Sequence, residues 1–285
     1  MNSKNIKKSL NAKIEDWIKS IDDAQVVRII RDNVIITGGC IVSMLAGDEP
    51  HDYDIYFRTK DACVKIAEYY ARKFNETHGK QVVIKVDGDR VTCYIQSKGI
   101  AAEEGAETIT DETEPYVETS SINDDKPKYR PVFFSTNAIS LSDKIQLVIR
   151  FYGEPEEIHK NYDFVHCTCC YSFLDNRLEL PAKALESIVT RELHYMGSRY
   201  PVCSVIRTRK FISRGWTINA GQFLKMCLQI SELDLKDMKV FEDQLAGVDS
   251  AYFASAIHTI SEKREKEPSF VIDNSYLFEV INRIF

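Results

Sequence analysis

The chain predicts an α+β fold: a mixed α/β head over residues 1–181, followed by an all-helical domain over residues 182–285. Three observations lead there. Short β-branched runs and alternating stretches recur among amphipathic helical segments as far as Tyr171. Beyond Pro181 the apolar spacing is helical to the end. The 285 residues are 44% hydrophobic, enough apolar surface to bury a sizeable core.

Taken in order, Leu10, Ile14, Trp17, Ile18 and Ile21 fall on one face at helical spacing and predict the first helix. Residues 34–37 form a short β-branched run, read as a buried strand that Gly38 and Gly39 end. Cys40, Ile41, Met44 and Leu45 predict a short helix closing at Gly47. Residues 52–58 alternate, with Tyr53, Ile55 and Phe57 on the core face. Cys63, Ile66, Ala67, Tyr70, Ala71 and Phe74 make a second amphipathic helix. Residues 81–86 and 90–96 read as two strands joined at Asp87-Gly88, because glycine tolerates the positive φ of a tight hairpin. Strand signals resume at 131–136 and 145–151, residues 155–160 suggest one helical turn, and 162–171 another strand.

In the second half, Ala184, Ile188, Val189 and Leu193 form one helical stripe, and Val202, Val205, Ile206 and Phe211 a second. Further helices are expected around residues 223–230, 241–245, 251–260 and 276–284. No internal repeat is present.

The formal net charge of −6 hides an uneven distribution. Glu103, Glu104, Glu107, Asp111, Glu112, Glu114, Glu118, Asp124 and Asp125 are unrelieved by any Lys or Arg, and without them the chain carries +3. Residues 97–130 therefore read as an acidic, mobile insertion in a mildly basic body, a balance that permits a nucleic-acid partner without demanding one. No apolar run reaches the roughly 20 residues that span a bilayer. Residues 1–9 are polar and basic with no apolar signal core behind them, so the expectation is a soluble cytoplasmic protein with no membrane partner. The eight cysteines then read as reduced and mostly buried. His166-Cys167-Thr168-Cys169-Cys170 contains metal-ligand residue types, but no second pair stands at finger or ribbon spacing, and strand packing is the reading.

Chemistry concentrates at Asp52-Tyr53-Asp54. On a strand both carboxylates project from one face, about 6.6 Å apart along it. Two like charges so placed repel unless they are exposed or share a cation, and Mg²⁺ suits a few carboxylates completed by water and phosphate. Upstream, Gly38 and Gly39 join a strand to a helix. Without β-carbons the backbone there can approach a phosphate, with helix N–H groups directed at it.

The combination carries a resemblance. Gly38-Gly39-Cys-Ile-Val-Ser-Met-Leu-Ala-Gly47 followed by Asp52-Tyr-Asp54 resembles the signature of the polymerase-β-like nucleotidyltransferase superfamily. It is most similar to the head of the CCA-adding tRNA nucleotidyltransferases and bacterial poly(A) polymerases. Residues 161–165, Asn-Tyr-Asp-Phe-Val, are similar to the family's Arg-Arg-Asp-Phe-Thr strand and place Asp163 as the third carboxylate. Residues 206–218 are similar to the family's basic neck helix, with Arg207 and Lys210 at its basic positions. Departures are specific. Val42-Ser43 replace the family's Arg-Asp pair, Asn161-Tyr162 replace Arg-Arg, and Ala246 stands where an arginine of the base-reading element belongs, after Glu242-Asp243. The family's CTP and ATP selection is therefore not carried over.

The resemblance implies a polymerase-β-like head and a helical neck. It implies transfer of NMP from an NTP to an acceptor hydroxyl, with release of pyrophosphate. Asp52, Asp54 and Asp163 would hold two Mg²⁺ ions, Gly38 and Gly39 would cradle the β- and γ-phosphates, and Arg207 and Lys210 would add positive charge around the nucleotide. The favoured acceptor is RNA, a tRNA-like end. Two alternatives stay open: transfer to a small molecule or protein, and a nucleotide- or RNA-binding relative without catalysis. The sequence leaves the NTP, the acceptor and the oligomeric state open.

Overall fold

The computed structural model describes residues 1–78, 81–95, 101–102, 127–135, 137–235, 237, 240–241, 244 and 279. They separate into two units between Arg191 and Glu192.

The first unit begins with α1 (Ser3–Lys19), capped by Asn2, whose side chain accepts from the Asn5 N–H. Its apolar stripe of Ile6, Leu10, Ile14, Trp17 and Ile18 is buried, as the spacing predicts. Next comes α2 (Ala24–Asn33), which the apolar spacing did not single out; its signal was Asp23, which caps the Gln25 and Val26 N–H groups. There follow β1 (Val34–Thr37), α3 (Gly39–Ala46), β2 (Tyr53–Phe57) and α4 (Lys60–His78). The hairpin β3 (Val82–Asp87) and β4 (Arg90–Ile95) turns at Gly88, with φ of +54°. After β5 (Ala101–Ala102) come β6 (Pro131–Phe134), β7 (Ala138–Leu141), β8 (Ile145–Tyr152) and α5 (Pro155–His159). A 3₁₀ helix (Val165–Thr168), β9 (Cys170–Ser172), β10 (Arg177–Glu179) and α6 (Ala182–Thr190) complete the unit.

Eight of these strands form one mixed sheet in the order β10-β9-β1-β2-β8-β7-β6-β5, while β3 and β4 pair separately. β2 runs parallel to β8 and antiparallel to β1, so the central strand carries the only change of sense among the pairings described. The register aligns Ile36 with Ile55 and Ile55 with Leu147, and all three are fully buried on one face, which α4 covers. The opposite face aligns Ile35 with Tyr56, and there Ile35, Tyr56 and Cys170 pack with Ile158 of α5, flanked by Val148, Phe151 and Tyr162. Tyr56, on the polar side of an alternating strand, is therefore core as well.

The strand expected over residues 162–171 does not form. Phe164 instead leads into the 3₁₀ helix, where the Thr168 hydroxyl donates to the Val165 carbonyl at 2.8 Å, and only Cys170–Ser172 joins the sheet. Local side-chain bonding to the backbone competes with strand pairing in this way. His166, Cys169 and Cys170 are buried in this stretch, and among the described residues no disulfide joins the cysteines. Val189, assigned to the α6 stripe from sequence, is 83% exposed; Ala184, Ser187 and Ile188 carry the contact instead.

The second unit holds α7 (Pro201–Ser213) and α8 (Ala220–Ser231). The buried face of α7 is Pro201, Cys203, Ser204 and Thr208, which corrects the expected stripe of Val202, Val205, Ile206 and Phe211; Val205 is exposed. Small hydroxyl residues are buried there at little cost because Thr208 and Ser204 donate to the carbonyls of Ser204 and Tyr200, four residues back. On α8, Gln222 accepts from the Tyr195 N–H at 3.0 Å, so a polar side chain fixes the loop before α7. The acidic residues 103–125, Glu242, Asp243 and Ala246, and most of the helices expected after residue 240 lie outside the described residues. No helix among the described residues is long and apolar enough to cross a membrane.

Candidate active site

The site starts where β1 meets α3. Gly38 caps α3 with φ of +96° and ψ of −147°, a conformation essentially confined to glycine. Its missing side chain matters: a β-carbon there would lie 3.3 Å from Asp54 Oδ2 and 3.6 Å from the Tyr162 hydroxyl. Gly39 meets nothing within 4 Å of such an atom, so its lack of a side chain leaves open space. At the far end of α3, Gly47 takes the left-handed conformation (φ +91°) and the Asp48 N–H closes the helix onto the Ser43 carbonyl at 2.8 Å. This stop turns the chain back so that β2 can pair beside β1.

On β2, Asp54 is half-buried and aligned with Gln146 of β8, while Asp52 is exposed just before the strand. Both carboxylates act on Cys40, in the first turn of α3. Burial first, then the charges of Asp54 and Asp52, push its thiol well above its ordinary range. Cys40 therefore stays a neutral thiol, while the two aspartates converge on the start of α3.

A polar layer lies under this turn on the same sheet face. The Thr37 hydroxyl donates to the Cys169 carbonyl at 2.9 Å and lies 2.9 Å from His159 Nε2. Burial holds His159 down to about 4, so its imidazole is neutral and can donate from Nε2 to Thr37. The Tyr162 ring packs 5.1 Å from His159 and 6.2 Å from Tyr56. Burial, Tyr56 and the Asp54 charge hold that phenol well above its usual range, so it is a neutral hydroxyl beside the carboxylate.

The predicted site residues thus fall into three places. Gly38, Gly39, Asp52 and Asp54 come together around the start of α3. Asp163 is buried, 5% exposed, in the turn between α5 and the 3₁₀ helix rather than on a strand. Arg207 and Lys210 lie on α7 in the second unit. Among the described residues no group of three or more His, Cys, Asp and Glu side chains is arranged to hold a metal ion. The Asp52–Asp54 pair nevertheless fits a hard divalent cation by donor chemistry: two carboxylates two residues apart, with water and phosphate left to complete the shell. Sequence reading passed over Thr37, Tyr56, His159 and Tyr162 as site residues. Strand parity could have flagged Thr37 and Tyr56, whereas His159 and Tyr162 come from α5 and the following turn.

Fold and site together define an α+β protein with a glycine turn opposed by the Asp54 carboxylate of the adjacent strand. The chain belongs to the Gabija anti-defense 2 family, whose model matches residues 8–191. It is 20% identical over 265 residues to "Gabija anti-defense 2" of Bacillus phage SPbetaL7, covering 90% of this chain and 53% of that protein. The chain thus spans about half the length of this curated relative. Among solved structures it is similar to the Thermotoga maritima CCA-adding enzyme complexed with tRNA. The identity is 10%, the coverage 77% of this chain and 45% of that one, and the TM-score 0.40. It is also similar to the Bacillus stearothermophilus CCA-adding enzyme in complex with CTP, at 11% identity, 82% and 50% coverage, and a TM-score of 0.40.

Proposed function

We propose that the chain is a Mg²⁺-dependent nucleotidyltransferase that moves NMP from an NTP to an acceptor hydroxyl and releases pyrophosphate. The observation that carries this reading is the fit of the Asp54 carboxylate against the side-chain-free face of Gly38 at the start of a helix. That arrangement sets a carboxylate beside the N–H groups of a helix terminus, as a metal-bound phosphate requires.

In this reading Asp52 and Asp54 would hold two Mg²⁺ ions, whose charge would offset that of the triphosphate and of the leaving pyrophosphate. Gly38 and Gly39 let the β- and γ-phosphates approach the backbone. Asp163 would serve as the third carboxylate, helping to hold one of the ions and favouring the deprotonated acceptor hydroxyl. Arg207 and Lys210 contribute charge to the nucleotide. No side chain forms a covalent intermediate; catalysis rests on positioning and electrostatics.

The acceptor proposed from the motifs is an RNA hydroxyl. Membership of an anti-defense family supports a second acceptor class, a protein or small molecule of the defense that the family name refers to. Incubation with each labelled NTP and Mg²⁺, in the presence of total RNA or of bacterial lysate carrying a Gabija system, separates the two. Label transfer to either acceptor, abolished by Asp54→Asn, is the expected result. No transfer to any acceptor with any NTP would overturn the enzymatic reading and leave nucleotide binding without catalysis.

A further inference from the structure

The small sheet has an open outer edge whose charges complement a second copy of itself. Among the described strands β3 pairs with β4 alone. Two contacts fix which way its main-chain groups point. The Asn75 side chain donates to the Val82 carbonyl at 3.0 Å and accepts from the Val82 N–H at 2.7 Å. The Lys85 carbonyl instead faces β4, where the Thr92 hydroxyl donates to it at 3.3 Å. Backbone groups alternate along a strand, so Ile84 and Val86 turn theirs away from β4, as Val82 does. Beyond Asn75, no described residue pairs with that edge. Val86 is 44% exposed, and Lys85 and Asp87 are exposed on the other side of the strand. Neither of these two charges forms an ion pair among the described residues.

The edge restricts what can add to it. Asn75 takes the place of a neighbouring strand at Val82, so an incoming strand must lie between Ile84 and Gly88. The Gly88 carbonyl meets the Lys60 ammonium, which ends the ladder on that side. Antiparallel pairing of β3 with its own copy then has three possible centres. Centred on Lys85 it opposes lysine to lysine, and centred on Asp87 it opposes aspartate to aspartate. Centred on Val86 it sets Lys85 of each copy opposite Asp87 of the other, with the two exposed valines paired between them. A lone lysine on an edge strand guards it against such pairing, whereas a lysine two residues from an aspartate on the same face complements its own copy.

We propose that β3 is a homodimerisation edge: two copies of this chain join β3 to β3, antiparallel about Val86, and make one four-stranded sheet from two hairpins. The contact is a short ladder with two ion pairs and one apolar pair, so the association is weak and depends on concentration.

Sedimentation equilibrium of the whole chain from about 1 μM to about 1 mM tests it, with a thermal midpoint recorded for each variant. Wild type is expected to pass from monomer to dimer across that range. Val86→Pro removes an N–H that faces outward and leaves the β3–β4 ladder intact, so it should weaken the dimer about tenfold or more. Lys85→Asp alone and Asp87→Lys alone each set like charges opposite one another and should weaken it about tenfold. The double change, Lys85→Asp with Asp87→Lys, exchanges the partners and should restore the wild-type constant. These exposed positions keep the inference testable if Val86→Pro does not fold. A monomer throughout the range overturns the proposal, and so does a dimer that survives every one of these changes. Loss in both single variants without recovery in the double overturns the register, and the proposal with it.

Discussion

Gly38 and Asp54 touch across a missing atom: a β-carbon on Gly38 would stand 3.3 Å from Asp54 Oδ2, at a backbone φ of +96°. Gly39 beside it has open space where its side chain would be. Gly38→Ala must therefore strain the backbone and push the carboxylate, costing about 1–3 kcal/mol of stability by chemical denaturation. Gly39→Ala lies at the first turn of α3 and should leave stability unchanged or raise it by up to about 1 kcal/mol. If a phosphate approaches the turn, Gly39→Ala should still weaken NTP-dependent thermal stabilisation. Equal loss of stability in both variants would refute the distinction.

Asp52→Asn and Asp54→Asn remove charge from an exposed and a half-buried position, so folding should survive while label transfer falls by about a hundredfold or more. Asp163→Asn tests the third carboxylate in the same assay. Transfer at the wild-type rate in Asp163→Asn would remove that residue from the chemistry and leave a two-aspartate site.

The two buried imidazoles make stability fall in acid. Burial lowers His159 to about 4 and His166 to about 3, whereas each titrates near 6.5 in the unfolded chain. Between those values the unfolded state binds protons that the folded state does not, so stability is full above about pH 6.5 and is lost as pH falls toward 4. His166, 1% exposed, should account for roughly 2–3 kcal/mol of that loss, and half-buried His159 for less because solvent screens it. Urea denaturation at pH 7 and pH 4.5 of wild type and His166→Asn measures it. An unchanged pH dependence in the variant would contradict the assignment.

Trp17 donates its indole N–H to the Tyr70 hydroxyl at 2.6 Å, joining α1 to α4 within the core. Tyr70→Phe keeps the ring and strands the indole N–H, which should cost about 1–3 kcal/mol. Trp17→Phe with Tyr70→Phe together should cost less than the two single changes summed, since the pair then leaves no stranded donor. Strict additivity would show that the contact carries no energy.

The sequence by itself determined the elements whose signals are local. The α1 stripe, the β1 run, the Gly47 stop, the Asp87-Gly88 hairpin and the strand that carries Asp54 were all legible, because periodicity and turn chemistry act over a few residues, whereas Asp52 lies just before that strand rather than on it. So was the meeting of the glycine turn with the carboxylates, since a strand, a short helix and a returning strand leave few ways to connect. Only the tertiary structure decided that Gly38 and not Gly39 makes the close approach, and that Tyr56 is core although it shares the polar face. It also decided that residues 165–168 coil into a 3₁₀ helix and that Tyr162 comes up to the side-chain-free face of Gly38. The reason is physical: which neighbour covers a face, and which side chain enters a gap, depends on packing between segments more than a hundred residues apart, as Thr37 and His159 are. Local preference does not encode that choice.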